Sequence, residues 1–152
     1  MSGDLPLASH QTPDGVSDAT VEALGKLSEA LETADRARGH LMSFHQLTGS
    51  ADVALGAAVT ALREAGHTQV AARLDREVVG RNVIDGRWTF QIIEEYDDNY
   101  WSVFRRHEQA ARDELAQGRR HLYEARLKQA ERSKGTPGHE ATPEDVSELP
   151  EG

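Results

Sequence analysis

The sequence concentrates aromatic and acidic side chains in one short run, from Trp88 to Trp101. The run contains both tryptophans and two of the three tyrosines of the chain, together with four carboxylates and no basic residue. Carboxylates four positions apart on a helix share a face and repel each other. Such a run is expected to face a partner, and the predicted binding surface is Trp88, Phe90, Glu94, Glu95, Tyr96, Asp97, Asp98, Tyr100 and Trp101.

Two histidines earlier in the chain could complete a site with these carboxylates. Antiparallel pairing with an earlier helix would place His45 near Glu94 and His40 near Asp98. Imidazoles and carboxylates on facing helices are the ingredients of a metal site or an acid–base pair. The sequence contains no His-Glu-x-x-His, and its single Glu-x-x-His, Glu64 to His67, is one fewer than a di-iron bundle uses. The structural alternative is that the acidic residues are solvated or paired with arginines, namely Arg36, Arg38 or Arg87.

A glycine-flanked loop before this run carries two further candidates, Arg81 and Arg87. Guanidinium groups beside a helix start can hold a phosphate or a carboxylate. The loop matches neither Gly-x-Gly-x-x-Gly nor a P-loop. The alternative is that both arginines fix the loop by binding nearby acids, of which the candidates are Asp75, Glu77 and Glu94.

The late part of the sequence is basic and raises the hypothesis of nucleic-acid binding. The net charge of the chain is nevertheless -9, acids are interleaved with the bases, and no helix-turn-helix pattern accompanies them. An acidic stretch from Asp18 to Asp35 offers an intramolecular partner instead. The bases concerned are Arg105, Arg106, Arg112, Arg119, Arg120, Arg126, Lys128 and Arg132.

The elements that would position these residues are helices. All five prolines lie in residues 1–17 and 133–152, and the stretch between them is rich in Ala, Leu, Arg and Glu. Acidic, proline-containing segments without apolar periodicity bury too little surface to fold. The sequence therefore predicts a disordered tail at 1–17, a single helical domain at 18–132 and a disordered acidic tail at 133–152.

Apolar residues recur every three or four positions through the domain, which predicts an all-α fold. We expect a long helix from Asp18 to Gly49, two short helices ending at Gly66 and Gly80, and a long helix from Thr89 to about residue 133 with a possible kink near Asp97. The simplest arrangement is a helical bundle in which the two long helices run antiparallel and the short pair packs near their connecting end.

The last helix is predicted to be longer than the helix it packs on, about 65 Å against about 45 Å at 1.5 Å per residue. Part of its apolar stripe would then lack cover within one chain. Self-association is the simplest way to cover it, so we expect a homodimer. The residues concerned are Leu115, Leu122, Tyr123 and Leu127.

The acidic tail contains one sequence pattern that favours ordered structure, Thr142 followed by Pro143 and two acids. Thr at the N-cap and Pro at the first helical position are a typical helix start. Val146 and Leu149 would share a face of that helix. The segment could dock on a partner, or it could simply be a solubilising tail.

The segments Arg36–Leu41, Arg87–Phe90 and Glu94–Asp98 resemble a small all-helical protein family of actinobacteria. The preference for arginine over lysine is typical of a G+C-rich genome. The resemblance implies a helical fold and supplies neither an activity nor site residues.

The first functional hypothesis is a non-enzymatic, cytoplasmic adaptor that acts as a homodimer, needs no cofactor and binds a protein partner. The chain has no cysteine, no apolar run long enough to cross a bilayer and no leader-like N-terminus. The alternative is a bundle that binds a metal ion or small ligand through His40, His45, Glu94 and Asp98. Nucleic-acid binding is the third hypothesis.

Overall fold

The computed structural model describes residues 3–146, and these residues form helices joined by short turns. Apart from an isolated bridge between Ile84 and Arg87, the described part of the chain contains no β-structure, which confirms the predicted all-α class. The helices are α1 (Asp18–Glu64), α2 (Thr68–Glu77), α3 (Thr89–Tyr96), a π-helical segment (Asp97–Trp101), α4 (Ser102–Ala116) and α5 (Leu122–Glu131). Short 3₁₀ turns occur at Ala8–His10 and Pro143–Asp145.

The first helix is much longer than the sequence predicts. Helix α1 continues through Gly49 for a total of 47 residues, so the expected break and the separate short helix after it are wrong. Glycine ends a helix when it adopts a left-handed conformation, and in the interior it costs only about 1 kcal/mol relative to Ala. Gly66, with a φ of 88°, is the glycine that follows the end of α1.

The second predicted long helix is interrupted twice. The π segment lies at Asp97–Trp101, where the sequence indicated a kink, and it joins α3 to α4 without a break in the helix. A turn then separates α4 from α5, and Gln117, Gly118 and His121 all adopt positive φ angles there. The prediction of two long antiparallel helices is therefore not confirmed.

The described chain divides into two compact units. The terminal unit consists of the residues up to Glu32 and those from Phe104 onward, and the middle unit consists of Thr33–Val103. The core of the terminal unit is formed by Val21, Leu24, Ala116 and Leu122.

Because a turn follows α4, one residue of the apolar stripe that was expected to lack cover is buried within the chain. Leu122 is buried in the core of the terminal unit, contrary to the expectation that it lacks cover. A continuous helix would have carried it away from Val21 and Leu24, whereas the turn brings it onto them. Three residues of that stripe do remain exposed, namely Leu115, Tyr123 and Leu127.

Disorder of the predicted tails is not confirmed for residues 3–17 and 133–146. Asp4 accepts hydrogen bonds from Lys134 (3.0 Å) and Arg132, and the hydrogen bond from Lys134, followed by that from Arg132, lowers the pKa of this carboxyl. The carbonyl of Gln11 accepts a hydrogen bond from Arg119 at 2.6 Å. Specific ion pairs of this kind are not visible in the composition on which the expectation of disorder rests.

The predicted helix start in the C-terminal segment is present as a single 3₁₀ turn, Pro143–Asp145. The carboxylate of Asp145 accepts hydrogen bonds from the backbone N–H and the hydroxyl of Thr142, at 3.1 and 2.8 Å. Val146 is exposed. Leu149, the second residue of the proposed docking face, lies outside the described residues.

Candidate functional site

The predicted site lies in the middle unit, where α3 and the π segment pack against α1. Thr89 is buried and shares a hydrogen bond with Nδ1 of His45 at 2.6 Å. Further along, Arg38 contacts Asp97, so residue numbers rise on α1 as they fall on the facing segment. His45 therefore lies beside Thr89, about one helical turn from the position near Glu94 that the sequence predicts.

Arg38 on α1 contacts two residues of the π segment, Asp97 and Trp101. Its guanidinium donates two hydrogen bonds to the Asp97 carboxylate, at 2.7 and 2.9 Å. The same group lies 4.3 Å from the centre of the Trp101 ring, which is a cation–π contact. The indole N–H of Trp101 donates to Asp35 at 2.6 Å. Arg38 and Asp35 thus fix both ends of the π segment on α1.

The electrostatics of this pair favour a structural role. The hydrogen bond from Arg38 lowers the pKa of Asp97, and the hydrogen bond to Asp97 raises the pKa of Arg38. Both shifts favour the charged forms. A general acid or base works best when its pKa is close to the ambient pH. Asp97 and Arg38 are shifted away from neutrality and are suited to holding the helices together.

The remaining carboxylates of the acidic run do not converge. Glu95 accepts two hydrogen bonds from Arg87, both at 2.9 Å, whereas Glu94 and Asp98 are exposed. Two of the four acids are therefore paired with arginine, as in the structural alternative. Within residues 3–146, no three His, Asp or Glu side chains are grouped so that they could hold a metal ion.

The loop before α3 is fixed by its own hydrogen bonds. The Trp88 indole donates to the carbonyl of Gly80 at 3.2 Å, and the N–H of Gly80 donates to Asp52 on α1 at 3.0 Å. Arg87 also donates to the carbonyl of Asp85, so the expectation that it binds Glu94 is wrong, and Glu95 is its partner. The pairing of Arg87 leaves only Arg81 as a candidate for holding an anion.

Arg81 lines a cavity of about 260 Å³ in the middle unit. Its guanidinium donates to the backbone carbonyl of Glu77 at 3.3 Å. The cavity combines an indole face, two hydroxyls, one cation and one anion, and its other lining residues are Thr48, Gly49, Asp52, Gly80, Val83, Trp88 and Thr89.

Several large apolar side chains around the loop are exposed. Trp88 and Phe90 expose about half of their surface, 48% and 52%, although both belong to the elements fixed by the contacts above. The ring of Tyr100 packs on that of Tyr96, with centroids 5.4 Å apart, and is also half exposed. We call Val83, Ile84, Trp88 and Phe90 the loop surface.

Sequence reasoning missed a second polar centre, in the terminal unit. Glu108 is buried, accepts hydrogen bonds from Arg112 at 2.7 and 2.9 Å and accepts another from the hydroxyl of Ser28 at 3.1 Å. The four-residue spacing of Glu108 and Arg112 was a visible signal. Nothing in the sequence indicated that this face is buried.

At least half of the eight late basic residues bond within the chain. Arg126 pairs with Asp18 at 2.7 Å, in agreement with the expected intramolecular partner for the bases. Arg112, Arg119 and Arg132 also make the contacts described above. These bonds leave less positive charge for phosphate groups than the sequence suggests.

No protein-family model, no curated protein and no solved structure matches this chain. The resemblance to an actinobacterial family stays a prediction. Within the described residues, no helix combines the length and the apolar character that a membrane span requires.

Proposed function

We propose that the protein is a non-enzymatic, cytoplasmic adaptor that acts as a homodimer and binds a protein partner through the loop surface. The observation that carries the proposal is the exposure of Trp88, at the end of a loop held in place by hydrogen bonds, and of Phe90, in the first turn of α3. Large aromatic side chains on a preorganised support are typical centres of protein interfaces.

The polar contacts around this surface support binding rather than chemistry. Trp88 is anchored to Gly80, Gly80 to Asp52, and Arg87 to Glu95. A partner that covers the loop surface meets side chains whose position is already set, so that little conformational entropy is lost on binding. Glu94 and Asp98 are exposed beside this surface and would favour a partner with a basic rim.

The test is affinity capture from the native host, comparing Phe90→Asp with Leu127→Asp. Each substitution replaces a half-exposed apolar side chain with a carboxylate. Leu127→Asp is the control, because Leu127 belongs to the terminal unit and lies outside the loop surface. We expect Phe90→Asp to abolish binding of a specific partner that wild type and Leu127→Asp both retain. Capture that Phe90→Asp leaves unchanged would contradict the proposed binding surface.

A second candidate function, small-ligand binding, is favoured by the cavity beside Trp88. Its indole face, hydroxyls and Arg81 are suited to a planar molecule with an acidic group. Thr89, which lines the cavity, is held by His45, one of the residues that the sequence predicts for a metal or ligand site. His40, Glu94 and Asp98 do not line it.

Native mass spectrometry of protein purified without chelator distinguishes the two functions. A dimer mass with nothing added supports the adaptor. Added mass that an Arg81→Ala variant loses supports the ligand hypothesis, and that mass identifies the ligand. Added mass that is lost only in His45→Ala would indicate a metal site instead.

A further inference from the structure

One face of α1 within the middle unit carries no Asp, Glu, Lys or Arg and is exposed along its whole length. Its residues follow one another at alternating intervals of three and four positions, which is the spacing of residues at the contact between two helices of a coiled coil. The stripe extends about 36 Å at 1.5 Å per residue. We call it the uncharged face, and its members, all exposed, are Ala37, His40, Phe44, Leu47, Ala51, Ala54, Ala58 and Ala61.

The surrounding sequence lacks the charges that a solvated helix normally carries. Between Gly39 and Leu62, Asp52 is the only Asp, Glu, Lys or Arg. Its carboxylate accepts the hydrogen bond from Gly80, so it is committed to the loop. An exposed helix surface is normally polar or charged. Leu47, with 70% of its surface exposed, lies near the middle of this face.

The uncharged face is complementary in size to itself. Its bulky members all belong to the first half of the stripe, and every member of the second half is alanine. Antiparallel pairing of two copies places each bulky half on the alanine half of the other. In that register Leu47 faces Ala51 of the second copy, Phe44 faces Ala54 and His40 faces Ala58, so each bulky side chain meets an alanine.

The charges that flank the face fit the same register. Arg36 and Glu64 are exposed at opposite ends of the stripe, along one edge of it. When Leu47 lies opposite Ala51, the two-fold axis passes at the level of Gly49, next to Ser50. Arg36 of one copy is then offset by about 3 Å along the axis from Glu64 of the other, within reach of their long side chains. Symmetry creates this pair twice. A parallel pairing would keep Arg36 and Glu64 at opposite ends of the interface and form neither pair.

We propose that the uncharged face of α1 is the homodimer interface, occupied by the same face of a second, antiparallel copy. This inference deepens the proposed function and rests on its homodimer component, but not on the loop surface. It replaces the exposed stripe near Leu115 and Leu127 as the contact between copies.

The first test compares Leu47→Glu with Val53→Glu by sedimentation equilibrium. Both residues are highly exposed, 70% and 76%, but Val53 lies on a different face of α1. Two buried glutamates per dimer should raise the dissociation constant by about 100-fold or more, because isolated charges are costly to desolvate. Val53→Glu should leave it unchanged. Circular dichroism checks that both variants keep their helix content.

The orientation can be tested by cross-linking because the chain contains no cysteine. A single Ser50→Cys variant brings two thiols together at the two-fold axis, and a short bis-maleimide should link them. In an Ala61→Cys variant the two thiols would be about 36 Å apart in the antiparallel dimer and adjacent in a parallel one. Efficient linking of Ala61→Cys would overturn the proposed orientation.

Charge reversal tests the register. Arg36→Glu or Glu64→Arg alone creates two repulsive pairs and should raise the dissociation constant by a few fold to about tenfold. The double variant restores opposite charges and should return the constant to the wild-type value. Failure of the double variant to recover would contradict the register.

The outcomes separate this inference from the proposed function. A wild-type chain that is monomeric at high concentration overturns the interface and the homodimer together, and leaves partner binding through the loop surface standing. A dimer that survives Leu47→Glu but is lost in Leu127→Glu overturns only the uncharged face as the interface.

Discussion

Two arginine–carboxylate pairs in this chain have similar geometry and different surroundings. Arg112 and Glu108, in the terminal unit, are 12% and 6% exposed, whereas Arg38 and Asp97, in the middle unit, are 30% and 25% exposed. Each pair has an N–O distance of 2.7 Å. The distance alone therefore does not show which pair contributes more to the stability of the fold. Burial determines how much is lost when one partner is removed.

The largest effect is expected for Arg112→Leu. The substitution leaves the buried Glu108 carboxylate without its charged partner, and breaking a buried pair in this way costs about 3–5 kcal/mol. Urea unfolding followed by circular dichroism measures the loss. The control is Glu108→Met combined with Arg112→Leu, which removes both charges and should recover most of the stability. A single variant as stable as wild type would contradict the ranking.

Arg38→Met should lower the free energy of unfolding less than Arg112→Leu does. The ion pair with Asp97 is screened by solvent, and the cation–π contact with Trp101 adds to it only modestly. Arg38→Lys keeps the charge but loses the two-point geometry and much of the stacking, so its loss should be similar. If Arg38→Met destabilises the chain more than Arg112→Leu, burial is not the deciding factor.

Acid should remove the contribution of the middle-unit pair. The pKa of Asp97 in the folded chain lies below its ordinary value of 3.8, so the native state binds fewer protons than the unfolded state. The Arg38–Asp97 pair therefore makes its full contribution to stability at pH values well above 3.8. That contribution is lost as the pH falls through the lowered pKa of Asp97 in the folded chain. The stability difference between wild type and Asp97→Asn should be constant near neutral pH and shrink below 3.8. If the stability difference between wild type and Asp97→Asn instead grows on acidification, the pKa of Asp97 is not lowered in the folded chain.

The smallest effects are expected at the unpaired acids of the same run. Glu94→Ala and Asp98→Ala should change the free energy of unfolding by less than about 0.5 kcal/mol, with a slight gain because a repulsive pair is removed. Thermal melting of each variant measures this. A melting temperature lowered by many degrees would show that these side chains have partners in solution.

The sequence predicted the helical class and offered arginine pairing of the acidic run as an alternative, because both follow from local patterns. It failed where the outcome depends on distant residues. Gly49 is read locally as a helix end, but the surrounding residues support a continuous helix. The sequence placed His45 beside Glu94, which is about one helical turn from its actual neighbour Thr89. The error arose because the alignment depends on where α1 and α3 begin to pack.

The burial of Glu108 illustrates the same limit. A Glu and an Arg four residues apart are usually a solvated surface pair. Here the turn at Gly118 brings α5 back onto α1, and this closes the core around the pair. Gln117 and His121 adopt left-handed conformations without being glycine, which no sequence rule predicts.

The contacts that bring the two chain segments of the terminal unit together have a consequence for the order of folding. Asp18 bonds Arg126, and Asp4 bonds Arg132, across 108 and 128 residues of chain. In the middle unit, the contact between His45 and Thr89 closes a loop of only 44 residues. Shorter loops cost less entropy to close, and distant contacts form more slowly. We therefore expect the middle unit to form first and the terminal unit to assemble last, as its two segments are brought within reach.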